Sequence, residues 1–394
     1  MSVDYTKYLN PRVAAVPPSG IRAFFDIVAT MPEAISLGVG EPDFITPYHI
    51  RNAAINSIVD GETQYTSNWG LLSLRKEISL YLKGRYQLSY DPKSEILVTV
   101  GASEAIDIAL RALICEGDEV LVPQPSYVSY SPSVLFAGGN PVAVVTDSTT
   151  DFRLTAKAVR DAMTNKTKAL ILPYPNNPTG AIMEKADLEE LAKVVRETGL
   201  IVISDEIYSE LNYAPQSHVS FASLPDMWDY TITINGFSKA FAMTGWRMGY
   251  VCAPGPLVDV MMKIHQYSIM CAPRQGQVAA EEALRAGREN GYEDVAVMRR
   301  SYDRRRRLMV DAFTAMGLDC FEPLGAFYVF PSIRKTGLSS ETFCRRLLTE
   351  KQVACVPGTA FGQSGEGHIR CCYATALDKL NIALNRMEDF LQTL

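Results

Sequence analysis

The chain has 394 residues, of which 47% are hydrophobic and 21% charged, with a formal net charge of −6. That length suits two domains rather than one simple core, and the composition is that of an ordinary globular protein. The negative balance offers no general attraction to nucleic acid or anionic lipid, and no apolar run approaches the ~20 residues of a membrane span, so neither partner is expected.

Residues 1 to about 36 are punctuated by proline, and Pro17-Pro18-Ser19-Gly20 precedes an amphipathic run with Ile21, Phe24, Phe25, Ile27 and Val28. No basic-then-apolar leader follows Met1, so no signal peptide is expected. Gly38, Gly40 and Pro42 form a loop, and helical patterns follow at 47–60 and 71–86. From Glu95 short apolar strands alternate with helices. Strands are expected at 96–100, 119–123, 141–145, 168–172, 200–204, 231–234 and 250–253, with helices at 104–115 and around 187–197. Strands apolar on both faces and separated by helices predict an α/β fold, a mostly parallel seven-stranded sheet covered by helices. One long helical segment is expected over 256–286, then an Arg-rich helix, a strand at 326–330, a helix at 340–351, a strand at 354–356 and a last helix at 378–391. This division predicts a large domain over 45–290 and a smaller α+β domain from 1–44 with 291–394.

Eight scattered cysteines without a Cys-x-x-Cys suit reduced thiols in a cytoplasm. The four histidines lie in no metal-ligand spacing, so no metal is expected. Arg304-Arg305-Arg306-Arg307 is the one basic cluster and reads as a solvated helix face.

The chemistry centres on residues 231–250, TITINGFSKAFAMTGWRMGY. An alternating β-branched run ends at Asn235-Gly236, and Ser238 and Lys239 follow at the strand's mouth, where open α/β sheets keep their sites. A lysine there is costly unless solvated, paired or covalently used. Taken alone, Lys239 reads as a surface lysine at a loop start. Upstream stand Gly38-Val39-Gly40-Glu41-Pro42-Asp43-Phe44, Gln64-Tyr65-Thr66-Ser67, Gly101-Ala102-Ser103-Glu104-Ala105, Tyr174-Pro175-Asn176-Asn177-Pro178-Thr179-Gly180 and Ser204-Asp205-Glu206-Ile207-Tyr208. Downstream are Gly325-Ala326-Phe327-Tyr328, Val356-Pro357-Gly358 and Arg370. Each is weak alone. In this order they resemble the class I/II aminotransferases of fold type I, which use pyridoxal 5'-phosphate, over nearly the whole chain. Within that family the chain resembles the bacterial aspartate and N-acetyl-diaminopimelate aminotransferases.

The resemblance implies a residue for each need of that cofactor. Lys239 would form the Schiff base and, once displaced, shuttle the proton. Asp205, at the end of an aliphatic strand, would partner the protonated pyridine nitrogen; on its own it also reads as a helix N-cap. Tyr208 and Asn177 would reach the ring hydroxyl, and Tyr127 would stack on the ring. Gly101-Ala102-Ser103 joins a strand to a helix, an anion cup for the phosphate, with Ser238 nearby and Arg247 adding charge. Many members carry a serine where Gly236 stands, so one phosphate donor is in doubt. Tyr65 resembles the tyrosine that reaches the phosphate of the neighbouring subunit, which implies a homodimer with shared sites. Arg370, with Gly40 and Asn177, would clamp the substrate α-carboxylate.

The expected reaction moves an amino group from an L-amino acid to a 2-oxo acid, with 2-oxoglutarate as acceptor. Two arginines, Arg22 and Arg274, are candidates for a distal carboxylate, which favours an aspartate-like donor. The bacterial aspartate enzymes often carry a lysine where Ser103 stands, which weakens that preference. Without a distal cation, aromatic, neutral or N-acylated diamino acids are the alternative, or a carbon–sulfur lyase on the same fold. A serine acyl-enzyme set, Ser73-Leu74-Arg75-Lys76 with Tyr174 and Lys335-Thr336-Gly337, also fits a motif search, but one Ser-x-x-Lys is expected by chance and Ser73 lies in an amphipathic helix. A cofactor-binding regulator would need a DNA-binding extension, and a nicotinamide enzyme a Gly-x-Gly-x-x-Gly turn; neither is seen in the sequence.

Overall fold

The computed structural model describes residues 3–18 and 31–394. The amphipathic run at 21–28 and Arg22 lie outside the described residues. A short strand β1 (Ile35–Ser36) precedes helices Tyr48–Val59 and Leu72–Tyr86. The main sheet is built from β2 (Ile96–Val100), β3 (Glu119–Gln124), β4 (Asn140–Val145), β5 (Thr167–Leu172), β6 (Ile201–Asp205), β7 (Thr231–Gly236) and β8 (Met248–Cys252). Its spatial order is β2-β8-β7-β6-β5-β3-β4. β8 runs antiparallel to both neighbours, and the other pairings are parallel.

Every expected strand of this sheet forms; in all but the edge strand β4, where Ala143 and Val145 are exposed, successive residues bury on opposite faces. Leu170, Leu172 and Val202 pack on one face with Leu188, Leu191 and Val195 of helix Lys185–Thr198. Ala169, Ile171 and Ile203 pack on the other with Ala105, Ile108 and Ala109 of helix Gly101–Leu113, and with Val258 and Met261 of helix Gly255–Ser268. A strand apolar on both sides is stable only between two such helical layers.

The long helix expected over 256–286 is two helices, Gly255–Ser268 and Arg274–Asn290. Pro273 lacks the N–H that would continue the ladder and disfavours helix at the residue before it, and Met270 turns out at φ 72°. The helix expected from residue 104 starts three residues earlier, at Gly101. The Glu104 carboxylate takes the Val100 amide from within the first turn and ties that turn to the strand.

Beyond the main sheet, β9 (Tyr328–Val329), β11 (Val356–Pro357) and β12 (Ile369–Cys372) form a three-stranded sheet in the order β11-β12-β9. β10 (Val353–Ala354) pairs in parallel with β1. The strand expected at 354–356 is therefore split between two sheets at Cys355. The Arg-rich helix, Glu293–Ala315, is not a wholly solvated face. Arg306 is buried against Asp303 and Glu322, and Arg305 binds Asp43 at 2.8 Å, while Arg300 and Arg307 pair at the surface. No helix among the described residues is long and apolar enough to cross a membrane.

Candidate active site

A cavity of about 340 Å³ opens where the chain leaves the ends of β2, β3, β5, β6 and β7. Parallel strands all point their carboxyl ends to this edge, so residues far apart in sequence converge there.

Lys239 lies in the turn just after β7, beyond Phe237 and Ser238. Its Nζ donates to the Gly40 carbonyl at 2.6 Å. It lies 5.7 and 5.5 Å from the ring centroids of Tyr208 and Phe327. The residue keeps some surface along the cavity, yet these neighbours enclose the amine, and burial pulls its pKa down to about 8. A plain surface lysine would stay near its ordinary 10.4.

Asp205 ends β6 at 5% exposure. One carboxyl oxygen accepts the Tyr130 hydroxyl at 2.8 Å, the other the Ile207 amide at 3.2 Å. Burial pushes its pKa up to about 6 against both donors. Residues 207–210 form a turn rather than a helix, so Asp205 caps none.

Tyr208, in that turn, shares a hydrogen bond with Tyr328, hydroxyl to hydroxyl at 2.8 Å. Both are buried, and burial raises both pKa values, so both stay protonated. Asn177, in the loop after β5, accepts from Arg370 Nη1 at 2.9 Å. Arg370 Nη2 donates to the Gly38 carbonyl, and its Nε is buried without a partner among the described residues. The guanidinium lies between the rings of Tyr328 and Phe361, at 4.5 and 4.8 Å.

Helix Gly101–Leu113 points its first turn at the cavity, with Ala102 and Ser103 on the wall. Its leading N–H groups have no intrahelical partner. Gly101 adopts φ +74°, and a Cβ there would lie 2.7 Å from Arg247 Nη2. Behind it, a Cβ at Gly249 would lie 2.6 Å from the Ala102 nitrogen. Gly249 is required by this close approach of β8 to the helix start, and Gly101 by its left-handed backbone. The same crowding explains Gly236, where a Cβ would come within 2.9 Å of the Met248 carbonyl; Ser238, two residues on, lines the cavity.

Tyr127 lines the cavity and meets Tyr130 edge to face at 5.6 Å. Tyr65 does not line it; its side chain faces outward, 79% exposed. Arg274 is also outside the lining and pairs with Glu62 at 3.0 Å. The acyl-enzyme set does not assemble here. The Ser73 hydroxyl donates to Glu281, the Tyr174 hydroxyl to the Phe152 carbonyl, and Lys335 binds Asp319, each away from the cavity.

The chain matches the family described as aminotransferase class I and II over residues 32–387. It is 52% identical to the Bacillus subtilis protein YugH, named as an aminotransferase, across 98% of this chain and 99% of that one. It is 47% identical to an aspartate aminotransferase of Pyrococcus abyssi, across 98% of each chain. The crystal structure of an aromatic aminotransferase from Pyrococcus horikoshii superposes with a TM-score of 0.90 at 47% identity, covering 94% of this chain and 99% of that one. The chain belongs to the class I and II aminotransferases. It is an aminotransferase with the α/β fold of that family, whose members use pyridoxal 5'-phosphate.

Reasoning from sequence missed several parts of this aminotransferase cavity. Tyr130 had no signal, because its role depends on meeting Asp205 across 75 positions. Glu41, within the Gly38–Phe44 motif, also lines the cavity. His265 holds Glu104 at 2.6 Å behind the helix start. Tyr328 was visible only as part of Gly-Ala-Phe-Tyr.

Proposed function

We propose that this aminotransferase carries pyridoxal 5'-phosphate on Lys239 and moves an amino group from an L-amino acid to a 2-oxo acid. The cofactor, when bound, supplies an aldehyde carbon for the amino group and a pyridine ring that absorbs the electron pair left on the substrate α-carbon. The observation that carries the proposal is the convergence, on one cavity, of a lysine amine held near neutrality, a buried carboxyl and a buried guanidinium whose Nε has no partner among the described residues.

The donor set fits that group part by part. Lys239 is nucleophilic as the neutral amine, which dominates above about pH 8. When free, the same amine takes the proton from the substrate α-carbon. Asp205 is an expensive buried acid with no salt bridge among the described residues, and a protonated ring nitrogen would offset that cost. Tyr208 and Asn177 supply hydrogen bonds for the ring hydroxyl, and Tyr127 a stacking face. The first-turn amides of Gly101, Ala102 and Ser103, with Ser238 and Arg247, suit a phosphate dianion. Gly40, Asn177 and Arg370 take the α-carboxylate. Purified protein should show a visible absorbance band that hydroxylamine abolishes and that Lys239→Ala lacks; a colourless protein fully active with added amino and oxo acids would sink the assignment.

For substrates we infer aspartate as donor and 2-oxoglutarate as acceptor, supported by the aspartate aminotransferase relative. One observation favours a second reading: Arg274 is paired with Glu62, and Glu41 adds an acidic side chain to the wall. That arrangement suits a neutral or aromatic side chain. A stopped-flow panel of amino acids on wild type, Arg22→Ala and Arg274→Ala decides between them. If neither variant loses aspartate more than phenylalanine, the dicarboxylic reading has no mechanism.

We also propose a homodimer with Tyr65 of the partner subunit completing the phosphate site, supported by its outward exposure. Hybrids of Tyr65→Phe with Lys239→Ala subunits should regain one intact site; hybrids no more active than their parents argue that Tyr65 acts within its own subunit. The proposed domain division, 45–290 against 1–44 with 291–394, draws support from the pairing of β1 with β10. A reducing, cytoplasmic setting is in keeping with eight free cysteines.

A further inference from the structure

Tyr328 stands in β9 at 1% exposure and touches three parts of the cavity at once. Its hydroxyl is 2.8 Å from that of Tyr208. Its ring face carries the Arg370 guanidinium at 4.5 Å. Its hydroxyl also fills the space that a Cβ at Gly40 would need, against the loop whose carbonyl takes the Lys239 amine. No other side chain among the described residues bonds the Tyr208 hydroxyl.

Two protonated hydroxyls at this distance share one proton between them and have a second left over. Which residue donates decides where the second proton points. If Tyr208 donated to Tyr328, its own O–H would be turned from the cavity. An anionic ring oxygen in the cavity draws the outer proton to Tyr208, since a hydrogen bond to an anion is about twice as strong as a neutral one. The inner donor is then Tyr328.

We propose that Tyr328 is a positioning residue, its hydroxyl donating to Tyr208 so that the Tyr208 proton faces the ring oxygen of the bound cofactor, while its ring keeps the Arg370 guanidinium flat for the substrate carboxylate. This rests on the cofactor reading above, with Tyr208 at the ring oxygen. Donors in series strengthen the terminal one, so the pair stabilises an anionic ring oxygen better than Tyr208 alone. Losing the first donor favours the protonated form and moves the cofactor's titration midpoint upward.

The test uses holoenzymes of wild type, Tyr328→Phe, Tyr208→Phe and the double variant, each loaded with pyridoxal 5'-phosphate and titrated by absorbance against pH. Tyr328→Phe should raise the midpoint by roughly 0.3–1 pH unit, the scale of one lost hydrogen bond. Tyr208→Phe should raise it more, and the double variant should match Tyr208→Phe alone, because Tyr328 acts through Tyr208. An unmoved midpoint in Tyr328→Phe, or the same shift in both backgrounds, overturns the relay. Tyr328→Phe keeps the ring and should leave KM for the amino acid within about twofold, whereas Tyr328→Leu should raise it; equal KM values in the two variants overturn the role toward Arg370. A wild type without a cofactor band removes the cofactor reading and this proposal together, while a band with an unmoved midpoint removes only the role of Tyr328.

Discussion

Asp205 and Lys239 sit at the ends of β6 and β7, central strands of the main sheet, each paired on both sides. Arg370 sits across the cavity in β12, the middle of a three-stranded sheet whose strands are two to four residues long. The first pair is placed by the backbone ladder, and its side chains need only short reach. The arginine is placed by what touches its side chain: two aromatic faces, the Asn177 amide oxygen and the Gly38 carbonyl. Those contacts come from segments spread over more than three hundred positions. A group on a strong ladder can be removed without moving its neighbours. A group held by stacking depends on every residue of the stack.

The largest expected effect is on the ladder side. Lys239→Ala should lower the amino-acid half-reaction by more than the ~10²–10⁴ typical of losing a proton-transfer group, because the covalent anchor goes as well. Stopped-flow rates and far-UV circular dichroism check it: the rate should collapse with the fold unchanged. Near wild-type turnover would remove Lys239 from the mechanism.

On the stacked side, Arg370→Ala should reduce kcat/KM for the amino acid roughly 10²–10⁴-fold, the scale of ~3–5 kcal/mol for stripping a buried charge of its partner. Phe361→Leu, which touches no substrate, should produce a smaller fall in the same direction by loosening the guanidinium. If Phe361→Leu is silent while Arg370→Ala is not, stacking does not place the arginine, and the contrast between the two walls fails.

Asp205 tests the ladder side through stability. Its folded pKa of about 6 lies above the ordinary carboxyl value near 4. The folded state therefore holds the extra proton, so the group's favourable contribution is complete below about pH 4 and is lost as pH rises through 6. Asp205→Asn should then stabilise the cofactor-free protein at pH 8, by at most about 3 kcal/mol, with a smaller gain at pH 5. Urea unfolding at the two pH values reads this directly; an equal gain at both would mean that the carboxyl is not desolvated.

The smallest effect is expected at Tyr130→Phe. It removes one donor from Asp205, worth about 0.5–1.5 kcal/mol, and should raise the Asp205 pKa further. The carboxylate would then pair less well with a ring nitrogen, so the cofactor Kd, measured by absorbance titration, should rise a few-fold, more at pH 6 than at pH 8. A Kd that changes equally at both pH values would point to lost packing instead.

Much of this was legible in the linear chain, for reasons that differ by region. The seven strands of the main sheet follow from short apolar runs separated by helical patterns, whereas Lys239, Asp205, Asn177 and Gly101 stood out only through the ordered motifs that resemble the family. Local pattern alone misjudged the helix over 256–286, where Pro273 breaks the ladder, and the Arg-rich helix, where Asp43 and Glu322 come from outside the helix to pair with Arg305 and Arg306. The two-residue strands of the second sheet are too short to carry a periodic signal.

Residue order by itself determined the seven strands of the main sheet, because hydrophobic period is a local property of the chain, and its ordered motifs, by resemblance, determined the family. Only the tertiary structure decided that Tyr130 meets Asp205, that Tyr328 stands between Tyr208 and Arg370, and that β8 crowds Gly236 while Ser238 lines the cavity. Those are contacts between segments whose separation along the chain leaves no trace in either sequence, and they exist only once long-range packing has brought the segments within a few ångströms.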